Sequence, residues 1–242
     1  MIKRKIEKII KQAFKSFGLR IRHYKEPGYI KIIKNIGTTV VFDIGANEGE
    51  FALSLREHDY KGKIVSFEPV KAAHERLFIN SSSDSSWSVH SRVALGSEIG
   101  TTTINIAGNN AVSSSILEMG SAHKESSPES IYVGKENVPI VTIDSIFEKY
   151  VKDNDVVFLK IDVQGYEDFV LIGAKSSIKN IAAIKLELSL TSLYEGDKLY
   201  DFYFSKLETL GFDIYDLEPG HRHPNGRLLQ FDAIHVKKVD KY

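Results

Sequence analysis

Three groups of residues in this chain have types and spacing suited to holding a nucleotide-like ligand and acting on it. The first is the run Asp43-Ile44-Gly45-Ala46-Asn47-Glu48-Gly49. Small residues let a backbone turn sharply and approach a ligand closely. A helix following such a turn offers unpaired N–H groups at its start. The Gly-x-x-x-Gly spacing differs from the Gly-x-Gly-x-x-Gly of dinucleotide binders, where a pyrophosphate meets the helix N-terminus. The second is Glu68, placed at roughly the interval where an acidic residue meets a ribose diol in nucleotide-binding folds. The third is Lys160 and Asp162 with Glu187. Lys160 and Asp162 are two apart and share one face of a strand. Ionic groups in so apolar a run, Val156 to Val163, are costly unless paired or at the wet end of the strand.

Each piece has a plainer reading. A glycine loop is often only a tight turn, an acidic strand end is often a helix cap, and Lys-Asp pairs also tie strand ends together. His221 and His223, in Pro219-Gly220-His221-Arg222-His223-Pro224, titrate near neutrality. With no carboxylate partner to place beside them, they read as surface residues. No dedicated metal spacing is visible, so no metal is expected, although Asp162 and Glu187 have the oxygens magnesium prefers.

The elements that must position these groups alternate. Thr39–Asp43, Lys63–Glu68, Trp87–His90, Val156–Val163 and Ile181–Leu188 read as strands. Tyr29–Asn35, Gly49–His58, Ala72–Asn80, Asp144–Tyr150, Tyr166–Gly173 and Tyr200–Leu210 read as helices. Thr101–Ile106 and Val138–Ile143 look strand-like, with a Ser/Gly/Asn-rich stretch, Gly108–Gly134, between them. That stretch is long for a plain connection, and long loops are usually functional or disordered. Ser113-Ser114-Ser115 within it is a candidate cofactor cover or substrate contact, and Tyr166 and Tyr194 are candidates for an acceptor pocket. Phe212–Leu217 and Phe231–Val236 close the chain as a hairpin. The pattern predicts an α/β fold with a doubly wound, mostly parallel seven-stranded sheet and a C-terminal antiparallel hairpin. In such sheets, ligands bind beyond the carboxyl ends of the strands, where the three groups fall.

The chain has 242 residues, 42% of them hydrophobic, enough for one well-buried domain. It has no cysteine, which excludes a disulfide framework. No apolar run approaches a membrane span and no signal-peptide core follows the first charges, so the expected location is cytoplasmic. Net charge is zero, but residues 1–25 carry Lys3, Arg4, Lys5, Lys8, Lys11, Lys15, Arg20, Arg22 and Lys25 against Glu7 alone. Ile2, Ile6, Ile9, Ile10, Ala13, Phe14 and Phe17 recur there at helical spacing. The expected organisation is a basic amphipathic extension over residues 1–35 and one domain over 36–242. A helix packed on the domain is the first reading of the extension and a peripheral membrane contact the second. A nucleic-acid arm is disfavoured, because no aromatic and basic groove follows.

The segments Val40-Val41-Phe42-Asp43-Ile44-Gly45-Ala46-Asn47-Glu48-Gly49, Ser66-Phe67-Glu68-Pro69, Val93-Ala94-Leu95-Gly96 and Leu159-Lys160-Ile161-Asp162-Val163-Gln164-Gly165-Tyr166-Glu167 together resemble the FkbM-type methyltransferases. Order and spacing match from about Val40 to Ala174. Gln164 departs from the pattern, since many members carry Glu there, and Val70 stands where a second proline is frequent. The resemblance implies a class I methyltransferase fold, S-adenosyl-L-methionine as cofactor, and O-methylation of a sugar, glycan or natural-product hydroxyl. It implies that Asp43, Gly45, Asn47 and Gly49 cradle the methionine part of the cofactor, that Glu68 holds the ribose, and that Ala94 and Leu95 lie by the adenine. Asp162, Glu187 and Lys160 are the candidates for catalysis, with Asp162 or Glu187 as base or substrate orienter. The expected partner is a small-molecule or glycan acceptor, not nucleic acid. An oxidoreductase of the NAD type is disfavoured by the glycine spacing. A non-catalytic protein that kept the cofactor fold is the other alternative.

Overall fold

The computed structural model describes residues 26–238, and residues 10, 12–14, 16 and 18 before them. The basic stretch of residues 1–25 lies largely outside the described residues. The chain runs α1 (Gly28–Asn35), β1 (Val40–Ile44), α2 (Glu50–Glu57), β2 (Lys63–Phe67), α3 (Lys71–Ser81), β3 (Trp87–Val89), β4 (Ala94–Leu95), β5 (Gly100–Ala107), α4 (Ser121–Ser126), β6 (Tyr132–Val141), α5 (Ile143–Tyr150), β7 (Val157–Ile161), α6 (Glu167–Ile172), β8 (Ile181–Ser189), α7 (Tyr200–Thr209), β9 (Phe212–Pro219) and β10 (Gln230–Lys237).

Seven strands form the main sheet in the order β3-β2-β1-β7-β8-β10-β9. β1, β2, β3, β7 and β8 are parallel, while β10 runs antiparallel to both β8 and β9. All five residues of β1 and of β7 are buried, as expected for parallel strands covered on both faces. Alternation sends Phe42, Ile44, Leu159, Ile161, Ile184 and Leu186 to one core, which includes side chains of α5, α6 and α7. It sends Val41, Phe158, Ala183 and Ile234 to the other, shared with α1, α2 and Trp87. Asp43, Lys160 and Lys185 have the parity of this second set, so they lie on the α1–α2 face, toward the carboxyl ends of the strands.

Two expectations change. Tyr29, Ile30, Ile32 and Ile33 of α1 are buried in the second core, so the folded body begins before residue 36 and includes α1. The strand expected over Val138–Ile143 begins instead at Tyr132 and ends at Val141, and Ile143 opens α5. It pairs antiparallel with β5 and parallel with β4 in a separate three-stranded sheet. Most of its first half is exposed, so the apolar alternation that would reveal a strand is missing there. The stretch 108–134 is likewise no plain loop, since it holds α4 and a short 3₁₀ turn at Pro128–Ser130.

Candidate functional site

The turn after β1 is held by backbone geometry that favours small residues. Gly45 has φ +71°, and a Cβ there would stand 1.8 Å from the carbonyl oxygen of Asp162. The loops after β1 and β7 therefore touch backbone to backbone. Gly49 has φ +97°, and a Cβ there would press on the Trp87 ring at 2.7 Å. Asn47 (φ +49°) and Gln164 (φ +57°) take the same left-handed conformation despite their side chains. Such conformations persist where the surroundings over-determine them and cluster at functional sites.

These two loops and the ends of β2 and β4 enclose a cavity of about 310 Å³. One end is apolar, walled by Phe67, Val93, Ala94, Leu95, Ile104 and Ile116. The other is polar, with Lys160, Asp162, Gln164 and Lys185, while Asn47 lies beside Glu68. Glu68 also lines the cavity, and each of its oxygens accepts a backbone N–H, Oε2 from Asn47 and Oε1 from Val70, both at 2.8 Å. A carboxylate has about four lone-pair sites, so two remain for a ligand. Burial pushes the Glu68 carboxyl up to about 7, against the pull of those N–H donors and of Lys160.

Lys160 is buried. Its Nζ donates to the Gly45 carbonyl at 2.7 Å and lies 3.2 Å from Asp43 Oδ1 and 3.6 Å from Asp162 Oδ2. Burial alone would lower its pKa, but Asp43 and Asp162 outweigh that and hold it above the usual lysine range. Lys160 is therefore a fixed cation that ties the first loop to β7. Asp43 is fully buried and spends Oδ2 on the Ser66 hydroxyl at 3.3 Å. Gly45 and Asn47 line the cavity, whereas Asp43 and Gly49 are not among the residues that border it. Both shape the loop from behind, Asp43 through Lys160 and Gly49 through Trp87.

Asp162 borders the cavity and keeps a third of its side chain exposed. Glu187 stands behind Gln164. The Gln164 Nε2 donates to Asp162 Oδ1 at 2.8 Å and to Glu187 Oε2 at 2.7 Å, which uses both its hydrogens. Gln164 Oε1 accepts the hydroxyl of the buried Tyr194 at 2.7 Å. Gln230 Nε2 adds a second donor to Glu187 at 3.1 Å. Burial, followed by the Asp162 and Asp232 carboxylates, holds Glu187 well above the usual carboxylate range. The structure thus brings Lys160, Asp162 and Glu187 together, but only Lys160 and Asp162 reach the cavity.

Of the other candidates, Ser114 and Tyr166 line the cavity. Ser115 Oγ donates to the Gln164 carbonyl at 2.6 Å, and the Ser113 carbonyl accepts the Tyr194 hydroxyl at 3.2 Å. The serine run therefore anchors the loop after β7. His221 stacks on His123 and faces Ser126 and Ser127, and His223 accepts the Asn225 N–H. Neither histidine lines the cavity. The sequence reading missed Lys185, buried at the polar end. Its signal was available, for it is a lysine inside an apolar strand, the same anomaly that marked Lys160.

A parallel sheet with its penultimate position filled by an antiparallel last strand, and a cavity over its carboxyl ends, defines the class I methyltransferase fold. Residues 43–214 match the methyltransferase FkbM domain, and the chain belongs to that family. The family and fold are those of S-adenosylmethionine-dependent methyltransferases. No curated protein matches the chain. Among solved structures, an FkbM methyltransferase from Methylobacillus flagellatus is 16% identical, over 82% of this chain and 43% of that one, with a TM-score of 0.49. The magnesium protoporphyrin IX methyltransferase ChlM of Synechocystis is 9% identical, over 98% and 84%, with a TM-score of 0.48. TrmK of M. capricolum, solved with S-adenosyl-homocysteine, is 8% identical, over 89% and 70%, at 0.47. The family rests on the domain match and the fold on the strand order itself.

Proposed function

We propose that this methyltransferase binds S-adenosyl-L-methionine in the cavity over β1, β2 and β7 and methylates a hydroxyl of a sugar, glycan or related natural product. The supporting observation is that one cavity joins an apolar slot, a buried carboxylate with spare lone pairs and a polar end holding Asp162. The apolar slot beside Ala94 and Leu95 suits a flat adenine. Glu68 accepts from the ribose hydroxyls. Gly45 and Asn47 lie along the amino-acid part, with Asp43 and Gly49 positioning the loop behind them.

Bound there, the cofactor supplies an electrophilic methyl carbon, and the protein supplies placement and proton transfer. An acceptor hydroxyl must lose its proton as it attacks. Asp162 has an oxygen at the cavity and is the base in this reading. Lys160 fixes one side of that carboxylate and the Gln164 amide the other. Glu187 acts through Gln164 as a positioning residue.

Calorimetry with S-adenosylhomocysteine tests the cofactor half. Glu68→Ala is expected to bind it roughly 10- to 150-fold more weakly, the range for hydrogen bonds of about 1.5–3 kcal/mol to a charged group. Unchanged affinity removes the ribose assignment. Transfer of a labelled methyl group to a panel of glycans and polyols tests the rest. Asp162→Asn is expected to bind the product yet transfer about 10²–10⁴-fold more slowly. A native-like Asp162→Asn enzyme at wild-type rate takes Asp162 off the list.

A further inference from the structure

A second buried ammonium stands at the polar end of the cavity, and the assignment above gives it no task. The β7–β8 register places Lys185 directly beside Lys160, so two cations are adjacent inside the sheet. Lys185 is 7% exposed and borders the cavity. Burying two like charges side by side is costly and needs compensation. Lys160 has its own, in Asp43, Asp162 and the Gly45 carbonyl. Among the described residues, Lys185 has the Asp232 carboxylate at 2.5 Å as its recorded partner. An ammonium has three donors, so Lys185 keeps donor capacity at the cavity. Asn47, which lines the same cavity beside Glu68, has its Oδ1 buried without a hydrogen-bond partner. A spare cationic donor and a spare acceptor lining one cavity have the chemistry to meet a zwitterion.

We propose that Lys185 receives the α-carboxylate of the cofactor's amino-acid end and that Asn47 Oδ1 faces its α-ammonium. This rests on the cavity being the S-adenosylmethionine site. It adds a binding residue on β8, a strand outside the loop and ribose motifs. Asp232, on the neighbouring strand, neutralises the ammonium while the cavity is empty and competes with the ligand carboxylate for it.

The test needs no acceptor. Calorimetry compares S-adenosylhomocysteine with 5′-methylthioadenosine, which keeps the nucleoside and lacks the amino-acid group. Lys185→Met is expected to weaken S-adenosylhomocysteine at least tenfold while leaving 5′-methylthioadenosine within twofold. Asp232→Asn, which frees the ammonium, is expected to hold the ratio of the two affinities or raise it. Equal weakening of both ligands by Lys185→Met, or no weakening of either, overturns the proposal. So does a fall in the ratio in Asp232→Asn, which remains a decisive measurement if Lys185→Met does not fold. A wild-type protein that binds neither ligand instead removes the cofactor reading beneath it.

Discussion

Glu68 is a cavity-lining residue whose chemistry depends on pH. Its folded-state carboxyl is pushed up to about 7, from an ordinary value of 4.5. The ligand-free fold therefore keeps a proton that the unfolded chain releases. Its contribution to stability is present below about 4.5 and lost as pH rises through about 7. Hydroxyl donors reverse the preference, because they favour the ionised carboxylate. Affinity for S-adenosylhomocysteine is accordingly expected to fall as pH drops below about 7, by up to about tenfold per unit for one coupled proton. Calorimetry between pH 5.5 and 8.5 reads the slope, and a flat profile would remove Glu68 as the titrating contact. The sequence marked Glu68 by position alone. That both oxygens already carry a backbone N–H, and that burial raises the carboxyl, depends on how β1 and β2 lie side by side.

At the scale of elements, the turn from β1 into α2 is where motif and packing part company. Gly45 is pressed by the β7 loop, whereas Gly49 is pressed by Trp87 and Leu77. Gly49 thus serves the packing of the turn against Trp87 and Leu77. Gly49→Ala imposes a left-handed conformation on an L-residue and overfills a packed site. The first effect is about 1–2 kcal/mol and the second about 1–3 kcal/mol, so a loss of about 2–5 kcal/mol in urea unfolding is expected. The folded fraction is expected to bind S-adenosylhomocysteine within threefold of wild type. The buried strands of this region were legible, since β1 and β7 are continuous apolar runs bounded by turn signals. The early half of β6 was not, because an exposed strand has no apolar periodicity, and its pairing with β5 is a contact between distant segments.

For the molecule as a whole, the cavity lies across the middle of the main sheet, reached from β1 and β2 on one side and from β7 and β8 on the other. A ligand seated there bridges segments far apart in sequence and stabilises them together. At a concentration 100 times its dissociation constant, S-adenosylhomocysteine is expected to add about 2.7 kcal/mol. For a domain of this size that corresponds to roughly 5–11 °C in Tm by scanning calorimetry. No shift at saturating ligand would count against the cavity as the cofactor site. At one fixed ligand concentration the increment is expected to be larger at pH 8 than at pH 6, by the Glu68 argument above. No described helix is long and apolar enough to cross a membrane.

Sequence alone determined the α/β class and the alternation of elements, through local periodicity, and pointed to the family through its resemblance in the order and spacing of motifs. It marked Glu68 by position, and Lys160 and Asp162 because burial makes ionic groups costly in so apolar a strand. Tertiary structure decided which of the marked residues border the cavity. Asp43 and Gly49 withdrew behind the loop, Glu187 fell behind Gln164, and Lys185 came forward beside Lys160. The physical reason is that strand parity fixes a face, but only the register between neighbouring strands fixes which side chains on that face meet.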